Sequence, residues 1–171
     1  TKPSGGYAYY KNGTLTLNNY SYEGEGYLYS SQYGYYATVL ANNDLTLELV
    51  GTNTLTQTAE RQSDVIRVHN LVSNPDLTVD GNGKLIATSK GNGLYAIGNL
   101  TINGGTIEVT TGKSSIIANY DLTINGGNVT AISDNSYAIV GGTSLTIAKD
   151  LNIQASTTAD GELGEYVAEN H

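Results

Sequence analysis

The residues best suited to chemistry in this 171-residue chain lie close together, between positions 60 and 69. They are two carboxylates, both arginines of the chain and its one internal histidine: Glu60, Arg61, Asp64, Arg67 and His69. A carboxylate beside a base is the minimum that general acid–base chemistry needs. However, Ile66 and Val68 alternate with Arg67 and His69, which is also the pattern of a strand with one solvated face. The solvated-strand interpretation is favoured, and no catalytic residue is assigned.

Tyrosine forms a second pattern. The chain contains 14 tyrosines and no Phe, Trp or Met, and ten of the tyrosines fall within residues 1–40. Many occupy alternate positions, which in an extended chain places both members of a pair on one face. A tyrosine ring offers a flat apolar face with a polar rim, as stacking on a sugar ring requires. The candidate carbohydrate-binding residues are Tyr20, Tyr22, Tyr27, Tyr29, Tyr33, Tyr35 and Tyr36.

A repeat must position these residues. Leu-Thr-Ile-Asn-Gly-Gly occurs at 100–105 and 122–127, and Leu-Thr-Ile returns at 145–147. The intervals are 22 residues (100 to 122) and 23 residues (122 to 145). Six related triplets begin at Leu15, Leu45, Leu77, Leu100, Leu122 and Leu145. A fixed period of this size is the signature of a solenoid.

Each repeat predicts three short strands. Apolar–Thr–apolar alternation indicates a strand with one buried face, and Asn-Gly-Gly supplies the positive φ angles of a sharp corner. A second alternating run and a third short apolar piece follow within about 22 residues, too few for an independent domain. The predicted fold is therefore all-β, a right-handed parallel β-helix of six to seven repeats. An antiparallel sandwich is the rival, but hairpins do not require one tripeptide at a fixed interval.

The whole chain, 1–171, is expected to form one domain. Residues 1–40 would be a Tyr-rich first repeat and cap, with a hairpin or loop projecting from it. Residues 41–155 would be the regular repeats, and 156–171 a C-terminal cap or tail that includes a short helix or flap at 161–169. The terminal repeats of solenoids are usually atypical, so the tyrosines have a structural interpretation as a cap as well as a functional one.

The outward positions of the triplets would form columns of polar side chains. If the triplets align, the central column is Thr16, Thr46, Thr78, Thr101, Thr123 and Thr146. On either side of it, Asp44 would lie beside Asp76, and Glu48 beside Asp80. Like charges on neighbouring strands repel, so these four carboxylates either cap turns or bind a hard cation such as calcium.

The composition excludes several classes of partner. Sixteen acidic and eight basic residues give a net charge of -8, which disfavours nucleic acid and anionic membranes. There is no cysteine, and no apolar run approaches the roughly 20 residues of a membrane span.

The run from Gly93 to Ile107, with its Leu-Thr-Ile-Asn-Gly-Gly core, resembles bacterial cell-surface β-helix domains that bind carbohydrate and are structural relatives of the pectate lyases. The likeness covers about residues 70–155. It implies a secreted or surface-anchored, non-catalytic module that binds a polysaccharide or cell-surface glycan, in some members with calcium. Such a module would be a monomer or part of a longer multidomain chain. Two alternatives stay open: a stalk or adhesin segment without sugar binding, and a polysaccharide lyase using Arg67 beside Asp64.

Overall fold

The computed structural model describes residues 5–61 and 63–158, and the regular structure within these ranges is entirely β. The predicted helix or flap at 161–169 lies outside the described residues. The described strands are β1 (Tyr7–Lys11), β2 (Thr14–Asn18), β3 (Ser21–Gly24), β4 (Tyr27–Ser30), β5 (Tyr35–Ala41), β6 (Leu45–Val50), β7 (Thr52–Gln57), β8 (Asp64–Val68), β9 (Leu77–Gly81), β10 (Lys84–Ser89), β11 (Leu94–Ala96), β12 (Leu100–Ile102), β13 (Thr106–Thr111), β14 (Ile116–Ala118), β15 (Asp121–Ile124), β16 (Asn128–Ser133), β17 (Ile139–Gly141), β18 (Ser144–Ile147) and β19 (Asn152–Thr157). Within the described ranges, no helix is long and apolar enough to cross a membrane.

The strands form three mostly parallel sheets. The first sheet has the order β1-β2-β6-β9-β12-β15-β18, the second β3-β7-β10-β13-β16-β19, and the third β4-β5-β8-β11-β14-β17. From β5 onward, consecutive strands go to the third, first and second sheets in turn. The pairs β1–β2 and β4–β5 are antiparallel, and the second of them is the hairpin expected in the Tyr-rich stretch.

The three sheets share one apolar core. In β12, Leu100 and Ile102 are buried while Thr101 between them is partly exposed, as the period-2 pattern predicts. Leu77, Leu85 and Leu94 bring side chains from the first, second and third sheets into the same buried cluster. Because each sheet buries one face against the other two, successive repeats depend on their neighbours for stability.

Glycine sets the close approach of successive corners. Gly105 and Gly127 both have positive φ, at 84° and 90°. A Cβ added to Gly127 would collide with the carbonyl oxygen of Gly105 in the preceding repeat. Asn125 Nδ2 donates to Asn103 Oδ1 at 3.0 Å, so the residues before these glycines also form a ladder. The Asn-Gly-Gly motif is thus required by backbone conformation and by stacking distance.

One predicted alignment is wrong. Thr46, Thr78, Thr101, Thr123 and Thr146 do lie opposite one another in the first sheet. In β2, however, Thr14 lies opposite Thr46, and Thr16 lies opposite Glu48. The shift of two residues keeps the same side chains outward. Leu17 becomes the fully buried leucine of β2 and Leu15 stays only partly buried, because β2 is also held in the antiparallel hairpin with β1.

Candidate functional site

A cavity of about 640 Å³ opens between the β4–β5 hairpin and the outer surface of the third sheet. Its lining is aromatic and polar: Tyr27, Tyr29, Ser30, Tyr33, Tyr35, Leu40, Asn42, His69, Asn70 and Leu71. The β4–β5 hairpin supplies the tyrosines and Ser30, the end of β5 and the residues after it supply Leu40 and Asn42, and the segment after β8 supplies residues 69–71. Rings at the wall with amide, hydroxyl and imidazole groups nearby can contact both the apolar face and the hydroxyls of a sugar.

Four of the seven predicted tyrosines line this cavity. Tyr33 stacks on Tyr35, with ring centroids 5.5 Å apart and planes inclined by 22°. Tyr29 is tilted against Tyr35 at 6.2 Å. Tyr27 and Tyr33 are the accessible members, with 65% and 54% of their surface exposed. The hairpin therefore presents two accessible rings, of which Tyr33 is supported by stacking on Tyr35.

The other three predicted tyrosines are not brought to this cavity. Tyr20 and Tyr22 pack against the apolar core, and the Tyr22 hydroxyl accepts a hydrogen bond from the Gly26 N–H at 3.0 Å. They line a different, smaller cavity of about 410 Å³. The Tyr36 N–H donates to Ser63 Oγ at 3.1 Å. This packing agrees with the structural interpretation that the sequence left open, and carbohydrate binding by Tyr20 and Tyr22 stays a prediction.

Arg67 joins the tyrosine hairpin to the sheet. Its guanidinium carbon lies 4.8 Å from the ring centroid of Tyr29 and 4.4 Å from that of Tyr95. Its Nη1 donates to Asp64 Oδ2 at 2.7 Å. The buried Nε finds no hydrogen-bond partner among the described residues. A planar guanidinium between two rings is held by cation–π attraction and stacking, which a lysine could not reproduce.

Asp64 is the buried anchor of this arrangement, with 1% of its surface exposed. Its Oδ1 accepts hydrogen bonds from the N–H and Nδ2 of Asn92, at 3.0 and 2.9 Å, and its Oδ2 also lies 3.5 Å from the Tyr29 hydroxyl. Burial, and next the negative charge of Asp64, raise the pKa of Tyr29 to about 12. Tyr29 therefore stays protonated near neutral pH.

The solvated-strand interpretation of residues 60–69 is wrong for Asp64, whose carboxylate is buried. Arg67 does lie on the outer face of β8, as the alternation predicts, but the rings of Tyr29 and Tyr95 lie over its guanidinium. Glu60 pairs instead with Lys90 at 2.5 Å on the surface, which lowers the pKa of that carboxyl group. His69 lines the cavity, and burial together with the nearby charge of Arg67 lowers its pKa. The charged residues of 60–69 therefore have different surroundings: the buried Asp64 pairs with Arg67, Glu60 forms a surface ion pair with Lys90, and His69 lines the cavity.

Sequence reasoning missed the half of the cavity that the sheet contributes. Leu40, Asn42, Asn70 and Leu71 carry no distinguishing pattern of their own. The contact of Arg67 with Tyr95 did have a signal. Aligning Ile66–Val68 with Leu94–Ala96 as equivalent pieces of successive repeats would have placed these two residues side by side, as the third sheet does.

The four carboxylates proposed for calcium lie at the predicted neighbouring positions. Asp44 Oδ1 accepts the N–H of Asp76 at 2.9 Å, and Asp76 Oδ1 accepts the N–H of Asn99 at 2.7 Å. Glu48 lies opposite Asp80 in the first sheet. Over the described part of the chain, no group of three or more His, Cys, Asp or Glu side chains is placed to hold a metal ion. The hydrogen bonds show how two of the carboxylates are accommodated without a cation, and calcium binding stays a prediction.

Three mostly parallel sheets on one core, with a tyrosine-lined cavity on the third, define an all-β protein whose surface is suited to sugar rings. The family model described as "Carbohydrate-binding domain-containing protein" matches residues 36–160, most of the chain. The chain belongs to this family. The match includes the cavity residues from Leu40 to Leu71 but begins after Tyr35, so most of the tyrosine hairpin lies outside it. No curated protein and no solved structure matched the chain.

Proposed function

We propose that this chain is a non-catalytic carbohydrate-binding module that holds a sugar ring against the β4–β5 hairpin. The observation that carries the proposal is the cavity itself, in which stacked tyrosines face polar side chains from the sheet. Family membership supports a carbohydrate as the ligand class.

The chemistry of a sugar fits the two walls of the cavity. The accessible ring of Tyr33, backed by Tyr35, would cover the apolar C–H face of a pyranose ring. Asn42, Asn70 and His69 line the same cavity and can exchange hydrogen bonds with ring hydroxyls. Because Tyr35 and Tyr29 support the platform from behind, little side-chain entropy is lost when a ligand binds.

The contacts of the groups that a lyase would use support a non-catalytic role. Arg67 is stacked between two rings and paired with Asp64, so its guanidinium is already engaged by groups of the protein. The raised pKa of Tyr29 makes its phenolate even less accessible than that of an ordinary tyrosine. The stalk interpretation predicts instead that the cavity binds no sugar, which the experiment below tests directly.

We further propose that the three sheets are the faces of a single-domain right-handed parallel β-helix. Three features support this: strands from β5 onward take the sheets in rotation, the pairing between repeats is parallel, and crossovers between parallel strands are right-handed by default. Secretion or display at the cell surface, as a binding or adhesive module, is the setting we propose from the resemblance to surface domains. A crystal structure of opposite coil handedness would contradict the fold proposal.

Screening the protein on a glycan array, followed by isothermal titration calorimetry with the best glycan, tests the binding proposal. Tyr33→Ala should weaken binding at least about fivefold, since one aromatic contact is worth about 1 kcal/mol beyond its buried area. Tyr9→Ala is the matched control, because Tyr9 is a partly exposed tyrosine on β1 of the first sheet. Retention of no glycan, or equal affinity of wild type and Tyr33→Ala, would refute the proposed site.

A further inference from the structure

We propose that the ligand is an uncharged polysaccharide chain, which leaves the cavity and lies across the strands of the third sheet. This inference rests on the proposed function and specifies the ligand of the same site. The extended surface is the outward row Leu40, Arg67, Tyr95, Ile117 and Val140, hereafter the third-sheet row.

The third-sheet row differs in composition from the equivalent rows of the other two sheets. The central outward row of the first sheet is Thr46, Thr78, Thr101, Thr123 and Thr146. That of the second sheet is Thr54, Ile86, Glu108, Thr130 and Gln154. Only in the third-sheet row, among these described rows, are four of the five residues apolar or aromatic. These four side chains are partly exposed, and contiguous outward apolar side chains are a feature of binding surfaces.

Tyrosines border this row on both sides. Tyr137 lies two residues before β17, and 52% of its surface is exposed. Tyr120 follows β14, with 45% exposed, and its hydroxyl accepts a hydrogen bond from Asn74 Nδ2 at 3.1 Å. Tyrosine rings beside aliphatic side chains suit a sugar chain better than an alkyl chain, because an alkyl chain could not form hydrogen bonds with the tyrosine hydroxyl groups.

The row is continuous with the cavity. Leu40 belongs both to the cavity lining and to the third-sheet row. Arg67, the next residue of the row, lies between Tyr29 of the cavity and Tyr95 of the row. From Arg67 to Val140 there are three strand-to-strand steps, or about 14 Å at about 4.8 Å each. That length is enough for several sugar units beyond the one in the cavity.

The family match also favours this surface. It starts at Tyr36, so it excludes Tyr27, Tyr29, Tyr33 and Tyr35 but includes the entire third-sheet row with Tyr120 and Tyr137. If carbohydrate binding is a property of the matched region, the third-sheet row offers that region a surface beyond the hairpin.

Charge indicates an uncharged glycan. Arg67 is the one ionised side chain of the row, and Asp64 compensates it at 2.7 Å. The chain as a whole carries a net charge of -8, so its long-range field repels polyanions such as polyuronates and sulfated glycans. A neutral glycan is not repelled by this field.

The test compares ligand length. Titration calorimetry would use the disaccharide and the hexasaccharide of the neutral glycan that the array identifies, on the wild type and on the double variant Ile117→Thr, Tyr137→Ala. Thr is the residue that the first sheet itself carries in its outward row, so the strand should persist. Ile86→Thr, the same substitution at the outward row of the second sheet, is the matched control.

The hexasaccharide should bind the wild type more tightly than the disaccharide. The double variant should lose at least about fivefold in hexasaccharide affinity, because about 1 kcal/mol of contact corresponds to about fivefold, and should leave the disaccharide unchanged. Ile86→Thr should change neither. Equal affinity for both lengths, an unchanged length ratio in the double variant, or tighter binding of a uronate oligomer would overturn the inference while leaving the cavity proposal intact. Failure of every glycan to bind would overturn both.

Discussion

Replacing Asp64 by Asn tests whether the buried ion pair positions the binding surface. The asparagine carbonyl oxygen can still accept the two hydrogen bonds from Asn92, which now reach Oδ1 at 3.0 and 2.9 Å. The amide group, however, would face the Arg67 guanidinium, where Oδ2 now lies 2.7 Å from Nη1. The substitution thus removes one charge while preserving shape, and it leaves the arginine unpaired.

The cost can be estimated from burial. Removing one partner of a buried ion pair costs about 3–5 kcal/mol, because the other charge remains desolvated. The Asp64 side chain is 1% exposed but the Arg67 side chain keeps 17% exposure, so part of its charge stays hydrated. We therefore expect the low end, about 3 kcal/mol of unfolding free energy. A second effect should appear at Tyr29, whose pKa should fall from about 12 because one of the charges that raise it is gone.

Urea unfolding followed by circular dichroism measures the first effect, and ultraviolet titration of the phenols measures the second. The midpoint should fall in Asp64→Asn while the dependence on urea stays the same. Glu60→Gln is the control, since it removes a carboxylate from the exposed Lys90–Glu60 pair and should leave the midpoint unchanged. If Asp64→Asn unfolds at the wild-type urea concentration, the pair is not the anchor that we infer.

Three further predictions concern the corner, the cavity and the acidic columns. Gly127→Ala should lower the thermal midpoint more than Gly13→Ala, since both have positive φ but only the added methyl at Gly127 meets a backbone carbonyl oxygen closely. An NMR titration of His69 should show a pKa below 6.5. Because the unfolded chain binds the proton more readily than the folded chain, His69 should make the fold less stable as the pH falls through that region, and His69→Gln should remove this pH dependence. A titration midpoint at or above 6.5 would contradict the lowered pKa. Calcium should raise the melting midpoint and a chelator should lower it if Asp44, Glu48, Asp76 and Asp80 bind the ion; identical midpoints would remove the calcium proposal.

The strands and corners of the regular repeats could be predicted from the sequence because their determinants are local. Leu-Thr-Ile alternation sets which side chains are buried, and Asn-Gly-Gly sets where the backbone turns. The interval of 22 to 23 residues then predicts that the triplets align, and the first sheet shows this for the five triplets from Leu45 onward. The first triplet departed from prediction because its register depends on a hairpin partner, β1, and not on the repeat alone.

The tyrosine platform could be predicted only in part. Alternation placed Tyr20 with Tyr22 and Tyr33 with Tyr35, but it cannot say which face of a strand turns toward the core. The first pair packs inward and the second lines the cavity. The outcome depends on where each strand joins the three sheets, which is a property of the assembled fold.

The sequence by itself determined the repeat, its three short strands, the glycine corners and the concentration of tyrosine near the N-terminus, because each follows from the properties of a few adjacent residues. Only the tertiary structure decided that Arg67 contacts Tyr29 as well as Tyr95, that Asp64 is buried beside it, and that the cavity continues into an apolar row. These contacts join residues that are 28 and 38 positions apart (67 to 95 and 29 to 67). The physical reason is that parallel pairing of β8 with β11 places Arg67 beside Tyr95, whereas the antiparallel β4–β5 hairpin brings Tyr29 to Arg67. Which residues meet over such separations is independent of the local pattern that forms each strand.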